Sequence, residues 1–182
     1  FSRAAILTMD AYGDDITAEF FIGEGNKITS LSQTMFPHSM GQVYAGITQY
    51  LGYRANSDEW KVMGMASYGE PEYYDQFAKI IRFDRERGTF RLDLNYFMFY
   101  VWHPRRYSDE FIKVFGPERY PEDELTERHL NIAASFQKRV EDVILEMCNY
   151  LYEKTEINTI CLAGGVAMNS KMNGRILMES PF

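Results

Sequence analysis

Two cysteines, Cys148 and Cys161, are all that this chain of 182 residues carries, too few for a disulfide framework or for a zinc cluster built from the chain alone. Its three histidines, His38, His103 and His129, are scattered, and none has another His or Cys at metal-ligand spacing. A triad on Ser39 or Ser67 would need a His and an acid that spacing does not supply, so nucleophilic catalysis is set aside. Basic residues are outnumbered, 19 against 26 acidic, for a net charge of −7. A surface that tracks nucleic-acid phosphates shows the opposite balance, although a local basic pocket is compatible with it. No stretch approaches the roughly 18 apolar residues that span a bilayer, and the opening residues lack a signal peptide's charged start and apolar core. There is no repeat at a fixed period and no low-complexity segment. The expectation is a cytoplasmic protein that binds neither nucleic acid nor membrane.

What the chain does have is core material: 46% apolar residues, with 13 Phe, 13 Tyr and 10 Met. Residues 4–9 form an apolar run ending at Asp10, and residues 16–22 are rich in β-branched and aromatic types. With residues 27–36 they read as a three-strand meander over 1–36. From Ser39 the apolar positions Met40, Val43, Tyr44, Ile47, Tyr50 and Leu51 recur at helical spacing until Gly52. The region 37–124 adds short helices at 59–66 and 72–81, a small hairpin at 83–94 around Gly88, and an aromatic, proline-broken stretch at 95–121. Tyr96, Phe97, Phe99, Tyr100 and Trp102 there suit packing better than base stacking, because few basic residues accompany them. In 125–182, Ile132, Phe136, Val140, Val143, Met147 and Leu151 mark a long amphipathic helix over 125–152. A buried strand at 158–162, a glycine turn and a helix over 166–178 follow, which makes the chain α/β.

Three places can carry chemistry. Gly164 and Gly165 stand at the C-terminal end of a strand and ahead of a helix, where the backbone can approach a ligand and free N–H groups favour an anion such as phosphate. The same pair would serve as a plain strand-to-helix turn, and the Lys and Ser/Thr of a Walker loop are absent. Asp10, at a strand end before Gly13, Asp14 and Asp15, could hold a divalent metal or orient phosphates, or simply be part of a solvated acidic turn. Lys61, within Glu59-Trp60-Lys61-Val62-Met63-Gly64-Met65-Ala66-Ser67-Tyr68-Gly69, could neutralise phosphate or be a solvated charge on a Met-rich helix.

Together, three segments in order resemble one family: Pro37-His38-Ser39-Met40-Gly41 through Tyr44 and on to Gly52; the 59–69 segment just given; and Leu162-Ala163-Gly164-Gly165-Val166-Ala167-Met168-Asn169. They resemble the O-carbamoyltransferases of the NodU and CmcH type. Ile132-Ala133-Ala134-Ser135-Phe136-Gln137 is similar to that family's helix before the glycine turn. The resemblance implies an actin-like, Hsp70-like (ribonuclease H-like) ATPase fold. It also implies use of ATP and carbamoyl phosphate to form carbamoyl adenylate on a separate C-terminal YrdC-like domain. The carbamoyl group then passes to a hydroxyl of a sugar or antibiotic-like acceptor on the domain sampled here. By the same resemblance Asp10 is a metal ligand, for iron, zinc or magnesium. Gly13, Lys61, Gly164, Gly165 and Asn169 lie on the nucleotide and phosphate side. A homodimer is compatible with it. The family's paired metal histidines fall ahead of Phe1 and a second metal aspartate after Phe182, so the chain reads as an inner piece of a larger enzyme, inactive alone. An actin-like small-molecule kinase and a nonenzymatic ATP-binding module are the alternatives.

Overall fold

The computed structural model describes residues 1–101 and 103–182. Trp102, one of the aromatics singled out above, lies outside the described residues. In chain order the elements begin with strands β1 (Arg3–Gly13), β2 (Ile16–Glu24) and β3 (Lys27–Met35), then helices α1 (Met40–Tyr50), α2 (Glu59–Met65) and α3 (Tyr74–Ile80). Strands β4 (Ile81–Asp84) and β5 (Thr89–Leu92) precede α4 (Asp109–Phe115) and the long α5 (Glu127–Thr155), and β6 (Ile160–Ala163) and α6 (Ser170–Glu179) close the chain. The result is a mixed α/β structure in two units.

The first unit comprises Phe1–Gly41, Arg82–Arg91 and Glu141–Phe182. Its sheet has the order β3-β2-β1-β6, with β1 to β3 antiparallel, as the meander predicts, and β6 parallel to β1. Strand β1 alternates: Ala5, Leu7 and Met9 are fully buried while Ile6 and Thr8 are half-buried and Asp10 is exposed, the period-two signature of a strand with one face on a core. Ala18 and Phe20 of β2 and Val143, Ile144, Met147, Cys148 and Leu151 of α5 are buried in this unit as well. Each such Val, Leu, Ile, Phe or Met contributes roughly 1.5–3 kcal/mol by leaving water. Tyr150 of α5 lies beside Phe20 and Phe83, with ring centroids 5.9 Å apart in each case. Gly88, at φ 63 in the β4–β5 turn, lies against the same ring. Arg175 ties α6 to α5 through Asp142 at 2.6 Å and Glu141 at 3.3 Å.

The second unit, Gln42–Ile81 and Leu92–Val140, is helical around an aromatic core. Phe111 stacks on Phe115 with centroids 4.3 Å apart, Phe115 on Phe77 at 4.6 Å, and Tyr44 meets Phe136 edge-on at 4.9 Å. Phe97, Phe99 and Tyr107 are buried too, so packing accounts for most of the aromatics of the 95–121 stretch, although Tyr100 is exposed. That stretch also contains α4, which the sequence pattern did not predict. Ser108 caps it, its hydroxyl accepting from the Phe111 amide, and Asp109 and Glu110 fill its first turn, where carboxylates favour the positive end of the helix.

Three of the segments quoted for the family resemblance, with the residues beside them, brace one another inside this unit. The Glu70 amide donates to Asn131 Oδ1 at 2.8 Å, the Tyr73 amide to Ser135 Oγ at 2.9 Å, and the buried Tyr44 hydroxyl to Gln137 Oε1 at 2.7 Å. A β-carbon on Gly69 would lie 2.2 Å from the Leu130 carbonyl oxygen, so only glycine lets this loop rest on α5. Among the described residues no helix is long and apolar enough to cross a membrane.

Candidate functional site

The parallel pairing of β1 with β6, Ala5 opposite Ile160 through Thr8 opposite Ala163, brings the residues that follow Ala163 beside Met9 and Asp10. Gly164 adopts φ 93, and a β-carbon there would lie 2.1 Å from the Met9 carbonyl oxygen. A side chain is excluded both by conformation and by space. The next residue, Gly165, faces Asp10: its virtual β-carbon lies 3.2 Å from Asp10 Oδ1. Two sequence-distant candidates, the aspartate and the diglycine, thus form one exposed site where β6 ends beside β1.

The backbone on either side of Asp10 is pinned. Its Oδ1 accepts from the Ala11 amide at 2.7 Å, and the fully buried Ser39 donates its hydroxyl to the carbonyls of Ala11 at 2.8 Å and Asp10 at 3.3 Å. Gly41, second residue of α1, lies so close that a β-carbon would fall 2.7 Å from the Ala11 amide nitrogen. Thr17 donates to the His38 carbonyl at 2.5 Å and so secures the segment before α1. Burial, and then the positive charge of Arg91, push the His38 imidazole below its ordinary pKa of 6.5.

Two sequence expectations change here. Strand β1 does not stop at Asp10 but continues to Gly13, with a register shift between Met9 and Gly13, so Asp10 sits at an irregularity inside a strand. The helix expected over 166–178 is two pieces: a single tight 3-10 turn, Gly165–Met168, and α6 from Ser170. Asn169 caps α6 by accepting from the Met172 amide at 3.1 Å, and its capping preference outweighs the helical spacing on either side. The leading N–H groups of the short turn have no partner within it. Asn173 Nδ2 donates to the Ala167 carbonyl at 2.8 Å, while its buried Oδ1 has no partner among the described residues.

Of the remaining candidates, Gly13 pairs with Ile16 at the base of the first hairpin turn. Lys61 belongs to the second unit, where its ammonium donates to Asp58 Oδ2 at 3.0 Å and lies 5.2 Å and 5.5 Å from the ring centroids of Tyr53 and Trp60. Sequence reasoning missed Ser39, Gly41 and Asn173 as parts of the site. The available signals were a glycine in the first turn of a helix and an asparagine inside one, both poor helix formers that need another reason to be there. A divalent ion takes several donors. Among the described residues no group of three His, Cys, Asp or Glu could hold one, so these residues can offer Asp10 to a metal but do not form its site.

Residues 1–182 match the family described as carbamoyltransferase N-terminus. The chain belongs to this family. As a carbamoyltransferase N-terminus it is 42% identical to the uncharacterized protein sll1178 of Synechocystis, over all of this chain and 30% of that protein. It is 29% identical to nodulation protein NolNO of Sinorhizobium fredii and 28% to nodulation protein NolO of Bradyrhizobium diazoefficiens, again over the whole chain and 25% and 31% of theirs. The chain therefore spans under a third of the length of these relatives.

Proposed function

We propose that this carbamoyltransferase N-terminus is the transfer domain of an enzyme that uses ATP and carbamoyl phosphate to carbamoylate a hydroxyl of a sugar or antibiotic-like acceptor. The observation that supports the reading is the approach of Gly165 to Asp10, a close-packed glycine loop at the end of β6 against a carboxylate of the neighbouring strand β1. On this reading the fold is actin-like, and the loop of Gly164, Gly165 and Asn169, with Gly13 and Lys61, serves the nucleotide and phosphate side. Lys61 would exchange Asp58 for the ligand. Asp10 contributes to a divalent metal completed by other ligands, a YrdC-like domain makes the carbamoyl adenylate, and the enzyme works in the cytoplasm.

In the transfer step the acceptor oxygen bonds to the carbamoyl carbon, the bond from that carbon to the phosphate oxygen breaks, and AMP leaves with the electron pair. The hydroxyl proton passes to a base. Amides at the start of a helical turn are suited to the charge that gathers on the departing phosphate. Asn173 Oδ1, buried and unpartnered next to this loop, is an acceptor available to a ligand donor.

The test is incubation of the full-length protein with ATP, carbamoyl phosphate and a panel of hydroxyl-bearing sugars and aminoglycosides, followed by mass spectrometry. A carbamoylated acceptor with release of AMP is expected. A phosphorylated acceptor with release of ADP would instead make it a kinase, and nucleotide binding without any product would make it a binding module.

A further inference from the structure

Within the second unit an open cleft of about 500 Å³ is lined by Gln49, Tyr53, Arg54, Arg105, Tyr107, Glu118, Arg119 and Tyr120 among others. Its size falls in the range of small-molecule sites. Three arginines face one acid there, against a chain whose net charge is −7.

Most of the polar groups are already committed. Arg119 donates Nη1 to Leu51 O at 3.0 Å, Nε to Asp123 O at 3.1 Å and Nη2 to Pro121 O at 3.3 Å, which makes it a brace for the loops. Glu118 accepts from Tyr107 at 2.7 Å on one oxygen and from Tyr120 at 2.9 Å on the other. Gln49 donates to Pro104 O at 2.9 Å and accepts from the Arg106 amide at 2.8 Å.

Two groups remain. Arg54 is exposed at the cleft. Arg105 lies over the Tyr107 ring at 5.5 Å and pairs one terminal nitrogen with the exposed Asp109, yet its Nε is buried with no partner among the described residues. A buried guanidinium N–H without an acceptor is a standing cost, and the exposed ion pair on the neighbouring Nη2 leaves the Nε–H itself without one.

We infer that this cleft binds the oxyanion of a small molecule, a carboxylate or a phosphate, on Arg105 and Arg54, with the flat body of that molecule against the tyrosines. An oxyanion oxygen gives Arg105 Nε the acceptor it lacks, and a guanidinium edge matches the paired oxygens of a carboxylate or a phosphate. The tyrosine rings supply apolar contact area. This inference stands independently of carbamoyl transfer.

The experiment is isothermal titration of the full-length protein with benzoate, phenyl phosphate and neutral benzyl alcohol. Saturable binding of one or both anions and none of the alcohol is expected, and which anion binds distinguishes carboxylate from phosphate. Arg105→Gln should weaken binding at least about tenfold, and Arg54→Ala, at an exposed position, should weaken it without moving the unfolding midpoint. Asp10→Asn should leave it unchanged. Binding that survives both arginine variants, that follows Asp10 instead, or that is matched by benzyl alcohol overturns the proposal, as does the absence of binding by either anion.

Discussion

A β-carbon placed on Gly164 would sit 2.1 Å from the carbonyl oxygen of Met9, on a backbone at φ 93. Strain from the left-handed conformation and from overpacking both apply, so Gly164→Ala should lose about 2–4 kcal/mol of stability. Gly165→Ala is a different case. Its φ lies outside the left-handed region and its new methyl meets only the Asp10 carboxylate, at 3.2 Å, so its stability loss should be at most about 1 kcal/mol. On the proposed reading its transfer activity should nevertheless fall, because the displaced group is the Asp10 carboxylate. Urea midpoints set beside turnover for the two variants check this: comparable stability losses would contradict the difference in contacts between the two glycines.

Asp10 itself is exposed, and among the described residues its carboxylate's one hydrogen bond is from the neighbouring Ala11 amide. Removing its charge should leave the unfolding midpoint within about 0.5 kcal/mol of the parent. On the proposed reading Asp10→Asn lowers turnover by about 10²-fold and reduces the metal bound by the full-length enzyme. Elemental analysis of the purified variant and a carbamoylation assay are the measurements. Unchanged metal content would remove Asp10 from any metal site.

How much of the fold is legible in the sequence depends on the range of the forces involved. The meander and α5 are legible because residues 4–9 form an apolar run, residues 16–22 are rich in β-branched and aromatic types, and Ile132, Phe136, Val140 and Val143 repeat at helical spacing, patterns written along the chain. Asp10 and Gly164-Gly165 are legible as types in suggestive places, but their meeting depends on β6 pairing with β1 across more than a hundred residues of intervening chain, which no local pattern encodes. Helix α4 escapes notice because prolines and aromatics on its flanks mask a short Ser108-capped turn. The break at Asn169 is hidden because Val166, Ala167 and Met168 run up to it and Met172 and Ile176 follow at helical spacing, with no proline between them. Ser39 and Gly41 stand in a motif without a visible role, because their role is to touch a backbone segment far away in sequence.

Two glycines of the 59–69 segment should behave oppositely. Gly69 rests on α5 with the Leu130 carbonyl oxygen 2.2 Å from where its β-carbon would be, whereas Gly64, inside α2, has open space there. Gly69→Ala should therefore destabilise by about 2–4 kcal/mol, and Gly64→Ala should stabilise by about 0.5–1 kcal/mol through helix propensity. Denaturant unfolding of both variants provides the check, and a destabilised Gly64→Ala would mean that this position meets something the isolated chain does not show.

Stability should also fall on mild acidification, through two histidines. Burial comes first in lowering the pKa of His38, followed by Arg91; at His129 burial again leads, followed by Arg128 and Arg119, with Asp123 opposing. Above the ordinary value of 6.5 both native and unfolded chains carry these rings neutral, and they add no pH dependence. As the pH drops through 6.5 the unfolded chain takes up protons that the native state refuses, so stability declines until the native rings protonate as well. His38→Gln should flatten part of that decline between roughly pH 7.5 and 5.5, with His129→Gln acting separately because the two rings belong to different units. Urea midpoints across this range for the parent and both variants decide it. A variant whose acid-side slope equals the parent's would show that its imidazole is not held neutral by the fold.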